Sequence, residues 1–210
     1  MGPSKVYYEA LEAAKEHHRS SKTYSGSFLR PHGVFIKEIV DRLGCRSILD
    51  YGAGKGVQYS WVNPKNGLTL EQWWGVPVTK YDPAYEPFSA EPEGKFDLVI
   101  CTHTLGAVPS VDVPWLVDRL YGFANKAIYV AEKLDPVRKK IHSSPEIYPR
   151  EWSADRWKSV LSRASDIEVT LSTREIKPEG RIMTHYRMWR DGKWSVVRWG
   201  DSIPPHQSFQ

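Results

Sequence analysis

The stretch Asp50-Tyr51-Gly52-Ala53-Gly54-Lys55-Gly56 constrains this chain most, because it follows directly on the apolar run Ser47-Ile48-Leu49. This order describes a strand that breaks into a glycine turn. Glycines admit positive φ and a close ligand approach, and the amides of the turn and following helix face that ligand, so the turn suits a nucleotide-like cofactor. Spacing narrows the choice. The dinucleotide fingerprint Gly-x-Gly-x-x-Gly fails at Val57, which stands where its last glycine belongs. The phosphate-cradling P-loop fails twice: Leu49 takes its leading glycine position, and Gly56 replaces the hydroxyl residue that would hold magnesium.

The elements around the turn follow from periodicity. Tyr7, Ala10, Leu11 and Ala14 repeat at helical spacing, and so do Ile36, Ile39, Val40 and Leu43, so two helices precede the first strand, with a polar loop from Ser20 to Arg30 between them. Strands are expected at 47–51, 77–81, 96–101, 127–131 and 167–172, and helices at 112–124 and 149–164. Pro64 and Asn66-Gly67 interrupt the connection after the glycine turn, leaving a short turn and a short helix at 69–74. Near the end, Asp191-Gly192 signals a two-residue hairpin turn that would set Trp189 opposite Trp194.

Only thirteen residues separate Asp82 from Phe96, and they include Pro83, Pro87, Pro92 and Gly94. A helix, a strand and a second helix do not fit there. The third strand unit of the sheet is therefore expected to be missing or vestigial, with residues 83–95 covering that edge.

At 210 residues the chain can bury one good core, read as a single domain over 1–203. It divides into N-terminal helices (1–46), a cofactor-binding core (47–131) and a C-terminal helix with strands (132–203), followed by a flexible tail (204–210). Cys45 and Cys101 make neither a metal-ligand cluster nor a disulfide framework, so no metal is expected and a reducing, cytoplasmic setting is. No run of about 18 apolar residues is present, which argues against a membrane. The net charge of +4 comes from scattered basic residues, so nucleic acid is a permitted partner but not an indicated one.

With those two ligand classes set aside, an apolar strand followed by Asp-x-Gly-x-Gly-x-Gly resembles the first motif of class I methyltransferases that bind S-adenosylmethionine. The likeness extends through Leu29-Arg30-Pro31-His32, Tyr81-Asp82-Pro83 and the segment from Gly94-Lys95-Phe96-Asp97 to Cys101-Thr102. It is similar to a group of small bacterial and phage methyltransferases of largely undefined substrate, and covers roughly residues 7–131. The resemblance implies a Rossmann-like, mainly parallel α/β sheet flanked by helices, here closed by a C-terminal antiparallel hairpin. It also implies direct in-line methyl transfer that leaves S-adenosylhomocysteine.

Asp82, at the carboxyl end of the second strand, has the position and the two acceptor oxygens to take a ribose diol, while its plainer role is a turn-forming Asp before Pro83. Tyr81 and Pro83 would flank the adenine. The cofactor set is completed by Arg30, Asp50, Gly52, Ala53, Gly54, Gly56, Thr102 and His103. In the resembled group the strand ending at Cys101 is followed by Asp-x-Leu-Glu-His-hydrophobic-Pro; this chain has His103-Thr104-Leu105-Gly106-Ala107-Val108-Pro109, which keeps Leu105 and Pro109 but not the acid or the histidine. His103 is then either a general base, titrating near neutrality at the strand's carboxyl end, or a polar loop histidine contacting cofactor or water. Cys101 reads as a buried strand cysteine, and Asp82-Pro83-Ala84-Tyr85 sits too early to be the Asp-Pro-Pro-Tyr motif of adenine amino-methyltransferases.

The acceptor is expected to be a small molecule, with Trp73, Trp74, His142 and Tyr148 as candidate contacts and the Trp73-Trp74 pair as a candidate lid. Glu132 lies on a segment leading over the same face. A cofactor-binding protein without transferase activity is the alternative reading and a nucleic-acid methyltransferase the third. Nothing in the residues indicates the oligomeric state.

Overall fold

The computed structural model describes residues 2–20, 27–134, 148–149, 152–177, 180–188 and 192–197. They alternate as helix and strand around one sheet. Helices α1 (Lys5–Ser20) and α2 (Gly33–Leu43) precede strand β1 (Ile48–Tyr51), and the short helix α3 (Leu70–Trp74) leads into β2 (Val78–Tyr81). Then come β3 (Phe96–Thr102), α4 (Val113–Phe123), β4 (Ala124–Leu134), α5 (Ala154–Leu161), β5 (Glu168–Lys177), β6 (Gly180–Met188) and β7 (Trp194–Val197).

Among the described residues the sheet has seven strands in the order β2-β1-β3-β4-β5-β6-β7. The first five are parallel to their neighbours, and β6 and β7 add antiparallel to the β5 edge. The apolar runs of β1, β3 and β4 are continuous because both faces of the sheet are covered. Alternation divides them. Leu49, Val99, Cys101, Ile128 and Val130 pack with Leu116, Leu120, Trp157 and Leu161 from α4 and α5. Ile48, Leu98, Ile100, Tyr129 and Ala131 pack with Ile36, Ile39, Val40, Leu70 and Trp74 from α2 and α3. A charged network ties α2 to the far strands: Glu168 accepts from Arg42 at 2.5 and 2.8 Å, and Arg187 reaches both Glu38 and Glu168.

No strand forms between Tyr81 and Phe96, so β2 is the sheet edge, as the prolines and the short spacing require. Those residues make a single 3-10 turn, Glu86–Phe88, closed back on the strand by the Asp82 amide donating to Phe88 O at 2.9 Å. The sheet still reaches seven strands because β6 and β7 extend the other side.

Three expectations change. The C-terminal helix is shorter than 149–164: Ser153 caps it, its hydroxyl accepting from the Arg156 amide at 3.2 Å, and Trp152 stays outside. The end of the expected polar loop, residues 27–30, belongs to a 3-10 turn, Ser27–His32, whose Leu29 is fully buried. The hairpin register differs by one residue, with Met188 and not Trp189 opposite Trp194. Met188 is buried and Trp194 packs against the same core, and a one-residue slip would turn a partner away from it.

No helix among the described residues is long and apolar enough to cross a membrane.

Candidate active site

The glycine turn lies where the carboxyl ends of β1, β2 and β3 meet. The amides of Gly52 and Ala53 both donate to Tyr81 O, at 2.7 and 3.0 Å, which stitches the turn to the end of β2. Asp82 tightens that seam, accepting from the Gly54 amide at 2.8 Å with one oxygen and from the Ala84 amide at 2.9 Å with the other. Each carboxylate oxygen keeps a second lone pair, so the group retains acceptor capacity for a diol. Gly52, Gly54 and Gly56 all have positive φ, at 87°, 58° and 63°. The neighbours that exclude a Cβ at Gly52 and Gly56 are the protein's own Thr104 and Phe88.

Asp50 sits beneath the turn, fully buried, and accepts from the Tyr59 hydroxyl at 2.8 Å through Oδ2. Burial pushes its carboxyl up to about 7, against the Tyr59 hydrogen bond and with help from the Asp82 charge. Its Oδ1 is buried without a hydrogen bond. Asp50 thus supports the turn from below, whereas Asp82 borders the crevice.

His103 follows β3 at φ 58°, the one non-glycine residue among those described with positive φ. Its amide donates to Ala131 O at 2.7 Å, so a β4 carbonyl holds this left-handed backbone in place. The ring stands edge-on to Phe28 at 5.1 Å and tilted to His32 at 5.9 Å between centroids. His32 Nδ1 and the Tyr129 hydroxyl share a hydrogen bond of 2.8 Å, and further along the same face Ser172 Oγ lies 3.2 Å from His185 Nε2. Burial, with the charges of His185 and Arg174, pushes His32 down to about 3, so this ring is neutral at physiological pH. Thr102, the last residue of β3, is half-buried beside this group.

The remaining predicted residues lie on different elements. Arg30 lies 5.0 Å over the Trp61 ring. Tyr81 offers its carbonyl to the turn, but its side chain leaves on the α4 face, packing at 4.9 Å on Tyr51 and donating to Glu91 at 3.0 Å. Pro83 is half-buried between Asp82 and Ala84. Trp74 is a core residue, 2% exposed, with its indole N–H donating to Gly33 O at 2.9 Å, and Trp73 packs against the same glycine. That pair packs α3 against the start of α2. Tyr148 is half-buried, and His142 lies outside the described residues. Glu132 accepts from the Gly106 amide at 3.2 Å. Cys101 is fully buried, and burial raises its thiol far above its ordinary range.

Three neighbours of the site are absent from the expected set. His18 on α1 is buried with Nε2 3.9 Å from Asp82 Oδ1, and its ring lies 5.3 Å from Tyr85. Burial lowers its pKa against the Asp82 charge. The start of α1 is held by Ser4, which donates to Asp112 from both its amide (2.6 Å) and its hydroxyl (2.8 Å). A signal for His18 exists: Tyr7, Leu11, Ala14 and His18 continue one helical stripe. Phe28 and Lys133 carry no comparable signal.

A buried acceptor beneath the glycine turn, a carboxylate with lone pairs left at its rim and a histidine at the next strand end fit an adenosine-bearing cofactor in the crevice. No group of acidic, histidine or cysteine side chains among the described residues has a metal-binding arrangement. Residues 11–131 match the family model described as methyltransferase domain. No curated protein matches the chain.

Proposed function

The chain belongs to the methyltransferase domain family, and we propose that it transfers a methyl group directly from S-adenosylmethionine to a small-molecule acceptor. The observation that carries this reading is the seam between the glycine turn and Asp82, with the Gly54 amide 2.8 Å from the carboxylate at the crevice of the parallel sheet. When bound, S-adenosylmethionine supplies an electrophilic sulfonium methyl.

The chain's own residues then divide the work. Asp82 accepts the ribose hydroxyls, the turn from Gly52 to Gly56 borders the adenosine with Pro83 and the Tyr81 carbonyl, and Arg30 meets the carboxylate. Thr102 and His103 face the reacting end. His103 takes the acceptor's proton where the acceptor is an alcohol, phenol or ammonium, and alignment with exclusion of water does the rest. Buried, free Cys45 and Cys101 support a reducing, cytoplasmic setting.

Calorimetry with S-adenosylhomocysteine tests the site. Asp82→Ala should weaken binding about tenfold to a hundredfold, the loss of charge-assisted hydrogen bonds. Unchanged affinity in that variant would sink the assignment. A tritiated-methyl screen of metabolite fractions tests transfer.

One observation favours the second reading, cofactor binding without transfer: after β3 this chain keeps Leu105 and Pro109 but has neither the acid nor the histidine of the group it resembles. Binding with no label transferred to any fraction is its signature.

A further inference from the structure

A run of hydrogen-bonding side chains crosses the sheet within the layer that packs against α2. His32 Nδ1 shares a hydrogen bond of 2.8 Å with the Tyr129 hydroxyl, the Ser172 side chain hydrogen-bonds that hydroxyl, and Ser172 Oγ lies 3.2 Å from His185 Nε2. Strand register builds the run. Ser172 of β5 stands opposite Ala131, two residues beyond Tyr129 on β4, and opposite His185 on β6. None of the four side chains belongs to a residue more than 4% exposed, and polar groups this deep are costly unless paired.

Each member can both donate and accept, and none is charged at physiological pH. Burial pushes His32 down to about 3 and, with the Arg187 charge, His185 down to about 4, while it raises the Tyr129 hydroxyl. The run therefore has two directions. In one, His185 Nε2–H donates to Ser172, Ser172 to Tyr129 and Tyr129 to His32 Nδ1, so His32 carries its hydrogen on Nε2. In the other every bond is reversed: His32 donates from Nδ1, and its Nε2 is a bare acceptor. Reversal gives up a hydrogen at His32 Nε2 and gains one at His185 Nδ1, with no change of charge. In either direction the two imidazoles hold the same tautomer.

The His32 end meets the reacting end of the crevice. Its ring lies 5.9 Å from that of His103, whose amide donates to Ala131 O on the stretch of β4 that carries Tyr129. With Nδ1 engaged by Tyr129, Nε2 is the ring nitrogen that His32 has to turn toward His103. A positive charge in the crevice favours a lone pair there over an N–H. The Lys133 and Arg174 charges are present whichever cofactor is bound, so the sulfonium makes the difference.

We propose that His32, Tyr129, Ser172 and His185 form a reversible hydrogen-bond switch that positions His103. With the sulfonium bound, His32 offers bare Nε2 and accepts from a His103 ring N–H, turning the other His103 nitrogen to the methyl acceptor as its base. With the neutral thioether product the run reverses and releases that orientation. Catalytic hydrogen bonds commonly tighten only once reactants are bound, and a base oriented by a third group is a recurring arrangement. The inference rests on reading His103 as the base at the site of transfer, and it makes the other four positioning residues.

The test is 15N NMR of the full chain labelled at histidine, with His32 and His185 assigned through His32→Gln and His185→Gln. In the cofactor-free chain the two rings should share one tautomer, and opposite tautomers overturn the proposal. Saturating S-adenosylmethionine should place both rings in the Nδ1–H form and S-adenosylhomocysteine should move both toward Nε2–H, seen as an exchange of the protonated and bare 15N signals within each ring. The same His32 tautomer with both cofactors, the behaviour of a static structural network, overturns it as well. Ser172→Ala should leave His185 unresponsive to the change of cofactor, and a response that survives counts against the run as its route. The wild-type comparison decides the matter even where that variant does not fold. Failure of wild type to bind either cofactor by calorimetry would instead count against the proposed function, and the shared tautomer of the cofactor-free chain still decides whether the run is continuous.

Discussion

Thr104 lies over Gly52, its hydroxyl 3.5 Å from the Gly52 carbonyl oxygen, so a side chain just beyond β3 closes the glycine turn that follows β1. A Cβ at Gly52 would land on that hydroxyl, 2.6 Å from Cγ2 and 2.8 Å from Cβ of Thr104, on a backbone at φ 87°. Gly52→Ala should therefore cost on the order of 3 kcal/mol in urea denaturation, combining backbone strain with overpacking. Adding Thr104→Ala should recover part of the loss. A double variant no more stable than the single would locate the cost in φ alone.

Asp50 gives stability an unusual pH slope. It stays protonated in the folded chain up to about pH 7 and ionises in the unfolded chain above about pH 4. Folding takes up a proton between those values, so the contribution is fully present at the acid end and is lost as pH rises through about 7. The change is on the order of a few kcal/mol. Asp50→Asn keeps an acceptor for Tyr59 and should remove this slope, leaving a variant at least as stable as wild type above neutrality. An identical slope in the variant would show that Asp50 is not its source.

His185 acts with the opposite sign. Burial and the Arg187 charge push it down to about 4, while the unfolded chain protonates near 6.5. Its contribution is present above that unfolded value and is lost as pH falls toward the folded one, by up to roughly 3 kcal/mol. Tryptophan fluorescence during acid titration should show a shallower decline in His185→Gln than in wild type, with equal declines counting against the assignment.

Trp74 is a packing residue, and the test separates that from a gating role. Trp74→Phe loses the hydrogen bond to Gly33 O and part of the ring, and should cost roughly 1 to 3 kcal/mol of stability. S-adenosylhomocysteine association and dissociation rates, read by stopped-flow fluorescence, should be unchanged. Faster dissociation would restore the lid.

The parts legible in the sequence share a physical basis: they are set by neighbours close along the chain. The glycine turn announces itself because β1 ends in Asp50-Tyr51 and the next residues need positive φ. The missing strand unit is legible because proline-rich residues 83–95 are too few to build it. Asp82 emerges from its place at the end of β2, although its two backbone clasps do not. The residues around His103 come from Phe28 and His32 on one side and Lys133 on the other, and only strand order and the 3-10 turn before α2 bring them together. The Asp191-Gly192 signal misled because a strong local turn preference yields to the burial of Met188.

The left-handed backbone of His103 bears on how this chain changes over generations. A residue with a Cβ held at φ 58° costs on the order of 1 to 3 kcal/mol relative to relaxed backbone, and glycine or asparagine would occupy the same turn more comfortably. Drift alone should carry this position toward those two residues once the imidazole has no task. In any descendant or close variant of this chain, the identity of this single residue becomes a readable record of whether chemistry at the strand end is still being selected.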